Sequence, residues 1–143
     1  MKSKLIFDGA EKTHAVIMDA GDEAFHELTE FARGHHLRAA HLTGIGAVSS
    51  VVLGYFDWQQ KVYRRIPVEQ QLEVISLIGD FALDGDEPKL HAHIVVATAD
   101  GTAMGGHLIE AHVRPTLEVI VTESPAHLCR YSDAETSLAL IRL

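Results

Sequence analysis

The residues best suited to chemistry are three histidines in one stretch of the chain, LHAHIVVATADGTAMGGHL, which runs from Leu90 to Leu108. His91 and His93 are separated by one residue, and His107 follows after a turn signal. Successive side chains of a β-strand point to opposite faces, so His91 and His93 lie on the same face. Whether His107 joins them depends on the register in which its strand returns.

The turn between the two strands decides that register. A two-residue Asp-Gly turn would set Ile94 opposite His107, on the wrong face. A three-residue loop, Ala99-Asp100-Gly101, is a type I turn closed by its glycine in the left-handed region, and it sets His93 opposite His107. The opposed Cβ atoms are then about 5 Å apart and His91 lies about 7 Å away on the diagonal. Three imidazole nitrogens can thus converge on one zinc-like ion, with bonds of about 2.0–2.1 Å and an open fourth position.

Other residues have possible roles beside this cluster. Gly105, opposite Val95 on the same face, is expected to leave open space there. Glu118 lies among branched apolar residues, and it is either a partner that orients a histidine or a salt-bridged residue at the edge of the sheet. Glu118 or Glu73 is also a possible proton acceptor. A lone histidine in a strand is more often a surface residue than a ligand, and His14, which has no partner nearby in sequence, is interpreted so.

The composition indicates a single ordinary globular domain over residues 1–143, with 47% apolar and 22% charged residues. A net charge of −8 argues against a broad phosphate-binding surface, because affinity for nucleic acids depends on clustered Lys and Arg. The single cysteine, Cys129, excludes an intrachain disulfide. The first residues carry an apolar run too short for a signal peptide, and no segment approaches a membrane span of about 20 residues. We therefore expect a soluble, cytoplasmic protein.

The pattern along the chain predicts one helix among many strands. The helix runs from Asp22, which caps it, to about Arg33, with Ala24, Phe25, Leu28, Phe31 and Ala32 as its apolar stripe. In the strand that follows Val68, alternation sets Leu72 and Val74 on one face and Glu73, Ile75 and Leu77 on the other. Arg114-Pro115 is expected to break the ladder before a further strand, Thr116 to Thr122. A last short strand is expected from Leu138 to Leu143.

Several familiar site motifs fail. Thr43-Gly44-Ile45-Gly46 lacks the third glycine and the helix of a dinucleotide fingerprint, so its glycines are interpreted as a bulge or a close backbone approach. The spacing from Gly85 to His91 and His93 matches the opening of a cupin motif, but no glutamate follows where that motif needs one. No serine stands in a nucleophile elbow.

In its order of motifs the chain resembles the PPC domain, the plants and prokaryotes conserved domain. The likeness covers nearly the whole chain and is carried by these segments: LTGIGAV from Leu42, EVISLIG from Glu73, LHAH from Leu90, Asp100-Gly101, GGHL from Gly105 and LEVI from Leu117. The resemblance implies an α+β fold, a mostly antiparallel β-sheet packed with one main α-helix, assembled as a homotrimer. It also implies a metal, zinc, held by His91, His93 and His107.

The function implied by the resemblance is a regulatory or interaction module with a three-histidine metal site, which could take a small ligand or a protein partner. The family is often labelled DNA-binding because plant members join the domain to a basic AT-hook, a segment this acidic chain lacks. The alternative is a small zinc-dependent enzyme that uses a metal-activated water as nucleophile. A concave pocket with an ionisable residue beside the metal would favour the enzyme, and a flat or apolar patch would favour the module.

Overall fold

A computed structural model, which describes residues 1–142, has one helix and nine strands in the α+β arrangement expected from the sequence. The helix α1 spans Ala24–Gly34. The strands are β1 Lys2–Asp8, β2 Lys12–Asp19, β3 Ala39–Asp57, β4 Val62–Val68, β5 Leu72–Asp84, β6 Glu87–Ala97, β7 Ala103–Glu123, β8 Cys129–Ser132 and β9 Ala139–Arg142. They form one sheet in the order β1-β2-β7-β3-β5-β8-β9, with β4 beside β3 and β6 between β5 and β7. Every pairing in the described residues is antiparallel except that of β5 with β8.

The helix packs its apolar stripe on the sheet as predicted, and Ala24, Leu28, Phe31 and Ala32 are buried. Its cap differs from the prediction. The Glu23 carboxylate accepts hydrogen bonds from the backbone N–H groups of Phe25 and His26, and also from that of Ala111 on β7. Asp22 instead accepts from the backbone N–H of Asp19. The longer side chain of Glu23 caps α1 and bonds to β7 at the same time. The sequence pattern gives no sign of that contact with β7, so it predicted Asp22 as the cap.

Irregular positions in the long strands account for two further differences. A bulge in β5 between Val74 and Ser76 shifts the alternation, so Leu77 is buried with Val74 while Ile75 is exposed. The prediction that placed Leu77 beside Ile75 was wrong for this reason. The prediction at Arg114-Pro115 is correct for the ladder, because the register of β7 with β3 shifts between Val113 and Leu117. The prediction of a separate strand after it is wrong, since β7 continues through Pro115.

The glycines of the segment that follows the helix mark close backbone contact, as expected. The β3 ladder is irregular between Gly44 and Gly46, and Gly46 has a φ of +156°. A Cβ atom at Gly46 would lie 2.3 Å from the carbonyl oxygen of Thr116. Any larger residue would therefore push the two central strands, β3 and β7, apart.

The face of the sheet opposite the core carries exposed apolar side chains. Ile78 on β5, Thr43 on β3 and Ile120 on β7 are neighbours in register across three strands. Val95 on β6 continues the surface, because it is two residues from His93, which pairs with Ile78. We call this surface the exposed apolar face; its members are 40–61% exposed: Ile45, Ile75, Ile78, Val95 and Ile120.

Among the described residues, 1–142, no helix is long and apolar enough to cross a membrane.

Candidate metal centre

The loop between β6 and β7 has the three-residue form that the sequence predicts. Thr98 and Thr102 close it through a hydrogen bond from the Thr98 N–H to the Thr102 carbonyl, 3.0 Å long. The Gly101 N–H donates to the Thr98 carbonyl at 2.9 Å, which is the turn bond, and Gly101 has a φ of +83°. Glycine adopts this left-handed backbone without steric cost, so the loop closes with the odd number of residues that the site requires.

This loop brings the three histidines together on one face. His93 pairs directly with His107, and Val95 pairs with Gly105, in the predicted register. The imidazole centroids of His91, His93 and His107 are 5.3–5.5 Å apart. One nitrogen from each ring lies within 4.8 Å of the other two. After small side-chain rotations, these nitrogens suit one ion bonded at about 2.0–2.1 Å.

The protonation state of the cluster also suits a metal. Burial, together with the smaller effects of the neighbouring His91 and His93, lowers the pKa of His107 to about 4. Burial likewise lowers the pKa of His91, against the opposing effect of the Asp80 carboxylate. The buried Nδ1 of His107 has no hydrogen-bond partner among residues 1–142. Neutral imidazoles with a free lone pair are the form that binds a metal, so the residues present fit such an ion.

Residues from other strands hold the cluster in place. Tyr63 on β4 stacks on the His107 ring with centroids 4.6 Å apart. Asp80 pairs with His91 across β5 and β6, and its carboxylate lies 3.8 Å from the His91 Nδ1. The same carboxylate forms an ion pair with Arg130 on β8, whose side chain is only 5% exposed. The arginine therefore fixes the carboxylate that faces His91.

A cavity of about 630 Å³ adjoins the cluster. His91 and His107 line one part of it, and four further residues contribute polar groups: Tyr63, Lys89, Arg130 and Ser137. The remaining wall is mainly apolar and comes from the start of α1, from β6 and from the last described residues: Phe25, Leu90, Leu138, Leu140 and Ile141. A ligand in this cavity would thus lie against two of the three imidazoles.

The structure places the other residues singled out in the sequence away from this cavity. Glu73 and Glu118 line a different depression, together with Ile45 and Pro115, and both carboxylates are exposed. Gly105 has the predicted register but not the predicted open space. A Cβ atom there would lie 2.9 Å from the Ile94 carbonyl and 3.1 Å from a methyl group of Val95. Close packing accounts for this glycine.

Asp80, Arg130 and Tyr63 are the site residues that sequence reasoning missed. A signal for Asp80 was present: counting back along both strands from the Asp84–Glu87 pair at the predicted turn gives Asp80 opposite His91. The other two had no local signal. Arg130 reaches Asp80 through the parallel pairing of β8 with β5, and Tyr63 belongs to a strand that pairs with neither β6 nor β7.

Comparison with known proteins agrees with the fold. The model of the Plants and Prokaryotes Conserved (PCC) domain matches residues 7–125, most of the chain. The chain belongs to this family. It is the family whose motifs the sequence resembles, so that prediction is confirmed.

Two solved structures of the same fold cover nearly all of the chain. A plant- and prokaryote-conserved (PPC) protein from Pyrococcus horikoshii is 30% identical, with a TM-score of 0.85 over 92% of this chain and 91% of that one. A metal-containing protein from Archaeoglobus fulgidus is 33% identical, with a TM-score of 0.85 over 100% of both chains.

A curated relative is much longer than this chain. The bifunctional protein GlmU of a Synechococcus strain is 30% identical over 118 residues, which are 81% of this chain and 18% of that protein. The chain therefore spans less than a fifth of the length of the curated relative it matches.

Proposed function

We propose that this PCC-domain chain is a zinc-binding regulatory or interaction module that assembles as a homotrimer. The observation that carries the proposal is the convergence of three imidazole nitrogens within 4.8 Å on one face of the β6–β7 hairpin. The metal content of the Archaeoglobus relative, which covers the whole chain, supports the same interpretation.

The donor set favours zinc over harder cations. Three imidazoles without a carboxylate ligand suit Zn²⁺ among the common metals, whereas Mg²⁺ and Ca²⁺ prefer oxygen ligands. A bound zinc would act as a Lewis acid with one position left for a ligand. His91 and His107 line the cavity, and this is the side on which a small molecule or a partner side chain could reach that position.

A binding role agrees better than hydrolysis with the groups around the cavity. The described residues that line it include no carboxylate, and the carboxylate that faces His91, on Asp80, is held by Arg130. General-base assistance to hydrolysis needs a free acceptor within hydrogen-bond reach of the attacking group. Glu73 and Glu118, the acceptors considered from the sequence, line another depression.

The second candidate is a small zinc-dependent enzyme, and the concave shape of the cavity beside His91 and His107 favours it. Hydrolysis of an activated ester such as 4-nitrophenyl acetate by the zinc-loaded protein, compared with the His107→Ala variant, tests it. A rate that depends on both zinc and His107 would support the enzyme. Equal rates for the wild type and the His107→Ala variant would exclude the enzyme.

The exposed apolar face supports the trimer. Its five large side chains would be covered by neighbouring copies of the chain, and the pairing of Ile78 with His93 places the metal cluster at its margin. Direct binding to nucleic acid is not part of the proposal, since the net charge is −8.

Sedimentation tests the assembly. We expect a species of about 47 kDa, three times the chain mass of 15.7 kDa. Ile78→Asp should shift it towards the monomer, because an unpaired charge would be buried between copies. Ile66→Asp is the matched control, because Ile66 is similarly exposed but lies on β4, outside the exposed apolar face. A monomeric wild type would contradict the trimer.

Elemental analysis of untagged protein tests the metal. The proposal predicts about one zinc per chain in the wild type, as expected for one three-ligand site. The zinc should be absent from the His91, His93 and His107 alanine variants. A wild type without zinc, or variants that retain it, would contradict the proposed site.

A further inference from the structure

The cavity beside the histidine cluster lies where the pairing of β6 with β7 ends. His107 pairs with both His93 of β6 and Gly54 of β3, and beyond it β7 pairs with β3 but not with β6. Within the described residues, the first half of β6 therefore pairs with β5 alone. The strands β6 and β7 thus separate at the metal centre. The residues of β9 line the resulting space together with Phe25 of α1, and its volume of about 630 Å³ is typical of sites for small molecules.

One end of this cavity would be positively charged. A zinc ion held by three neutral imidazoles keeps its full charge of two, so that an anion is the favoured fourth ligand. Lys89 and Arg130 also line the cavity but add no net charge, because Asp84 and Asp80 pair with them. The buried Nε–H of Arg130 lacks an acceptor among residues 1–142.

The rest of the cavity favours an apolar group. Leu140 is 42% exposed and Ile141 37% exposed, although both belong to a strand. Phe25, Leu90 and Leu138 extend this wall. A ligand that covered these side chains would remove apolar surface from water, and each methylene group buried in this way contributes about fourfold in affinity.

We propose that the cavity binds a small organic carboxylate with an apolar chain, its carboxylate at the open position of the metal and its chain among Phe25, Leu138 and Ile141. This inference rests on the proposed zinc site. It names the class of ligand that the module takes.

Calorimetric titration of zinc-loaded protein with hexanoate, acetate and 1-hexanol tests the two halves of the inference. Hexanoate should bind at least about tenfold more tightly than acetate, because acetate lacks the methylene groups that the apolar wall would cover. It should also bind at least about tenfold more tightly than 1-hexanol, which lacks the negative charge. Removal of zinc should abolish hexanoate binding. Equal affinities for hexanoate and acetate, or hexanoate binding that is unchanged without zinc, would overturn the inference.

A variant that fills the cavity provides an independent test. Ala139→Phe places a bulky group among the lining residues and should weaken hexanoate binding at least about tenfold. Ala134→Phe is the matched control, since Ala134 is an exposed residue of the β8–β9 connection and does not line the cavity. Unchanged hexanoate binding by folded Ala139→Phe would contradict the inference. If that variant does not fold, the ligand series on the wild type decides.

The zinc content of each sample separates the two proposals. A sample without zinc contradicts the metal site itself. A zinc-loaded sample that does not prefer hexanoate contradicts only the assignment of the cavity.

Discussion

Two groups of histidines in this molecule differ in what their surroundings allow. On the outer face of β6 and β7, His91, His93 and His107 turn their nitrogens towards one another, next to a cavity. Farther along β7, His14 of β2 pairs with Val121, and its ring packs edge-on against the rings of Phe31 and His35, with centroids 5.3 Å and 4.7 Å away. The first group converges on a point, whereas the second is a packing contact.

The difference shows that burial alone does not make a histidine a ligand. His14 is 5% exposed, so its interpretation as a surface residue was wrong. Burial lowers the pKa of His14, as it does that of His107, and both have a buried Nδ1 without a partner among residues 1–142. The His14 ring contacts one other imidazole, that of His35, and the ring of Phe31 on α1. The His107 ring lies beside two imidazoles, those of His91 and His93, and next to the cavity. The number of convergent donors distinguishes the two groups.

Substitutions in the two groups of histidines should differ most in their effect on zinc affinity. His107→Ala should weaken zinc binding at least about 100-fold, since it removes one of three ligands. His14→Ala and His112→Ala should leave it within about twofold, because neither imidazole belongs to the cluster. Competition with a chelating indicator measures all three. Equal losses of zinc affinity for His107→Ala and His14→Ala would contradict the distinction between the two groups of histidines.

A smaller effect is expected at the residue that faces His91. Asp80→Asn should weaken zinc binding by about tenfold, because it removes the carboxylate beside the His91 Nδ1. The variant should also melt at a lower temperature, since the buried Arg130 loses its counter-ion.

Asp84→Asn is the matched control for this variant, because Asp84 lies on the same strand and its carboxylate pairs with the exposed Lys89. The same chelator competition and a thermal melt compare the two. If both variants bind zinc as the wild type does, Asp80 does not orient His91.

The smallest effect concerns the pH dependence of stability. Burial, then the neighbouring His35, lowers the pKa of His14; Lys12 lowers it further and Glu123 opposes the shift. The unfolded chain therefore takes up a proton at His14 at a higher pH than the folded chain does. The contribution of His14 to stability is complete above the ordinary histidine pKa of about 6.5 and is lost as the pH falls below it.

His14→Phe should consequently lose less stability on acidification than the wild type. Urea unfolding at pH values of about 7.5 and about 5, which bracket the ordinary histidine pKa, measures the difference. His26→Phe is the control, since His26 is exposed on α1, and it should behave as the wild type does. If His14→Phe loses as much stability on acidification as the wild type does, this account of His14 is contradicted.

Much of the fold could be predicted because local rules apply along most of the chain. Strand alternation, the glycine turns and the apolar stripe of α1 predicted the elements and the class. The failures lie where long-range pairing changes a local rule. The bulge at Ile75 reverses the face of Leu77, and β7 continues through Pro115 because β3 pairs with it on both sides.

The site residues also divide into those that local rules predict and those that they do not. The pairing of His93 with His107 followed from the turn alone, because strand parity carries the register outward from the loop. Asp80 could have been found by the same counting from the preceding turn. Arg130 could not, because it comes from a short parallel strand whose position depends on the whole fold.

The most direct test of the metal centre is an anomalous difference map from a crystal of zinc-loaded protein, measured on both sides of the zinc absorption edge. We expect one peak per chain, bounded by nitrogens of His91, His93 and His107. A map with no peak among these three imidazoles, or with the peak at His14 and His35 instead, would contradict the assignment of the metal to the β6–β7 hairpin.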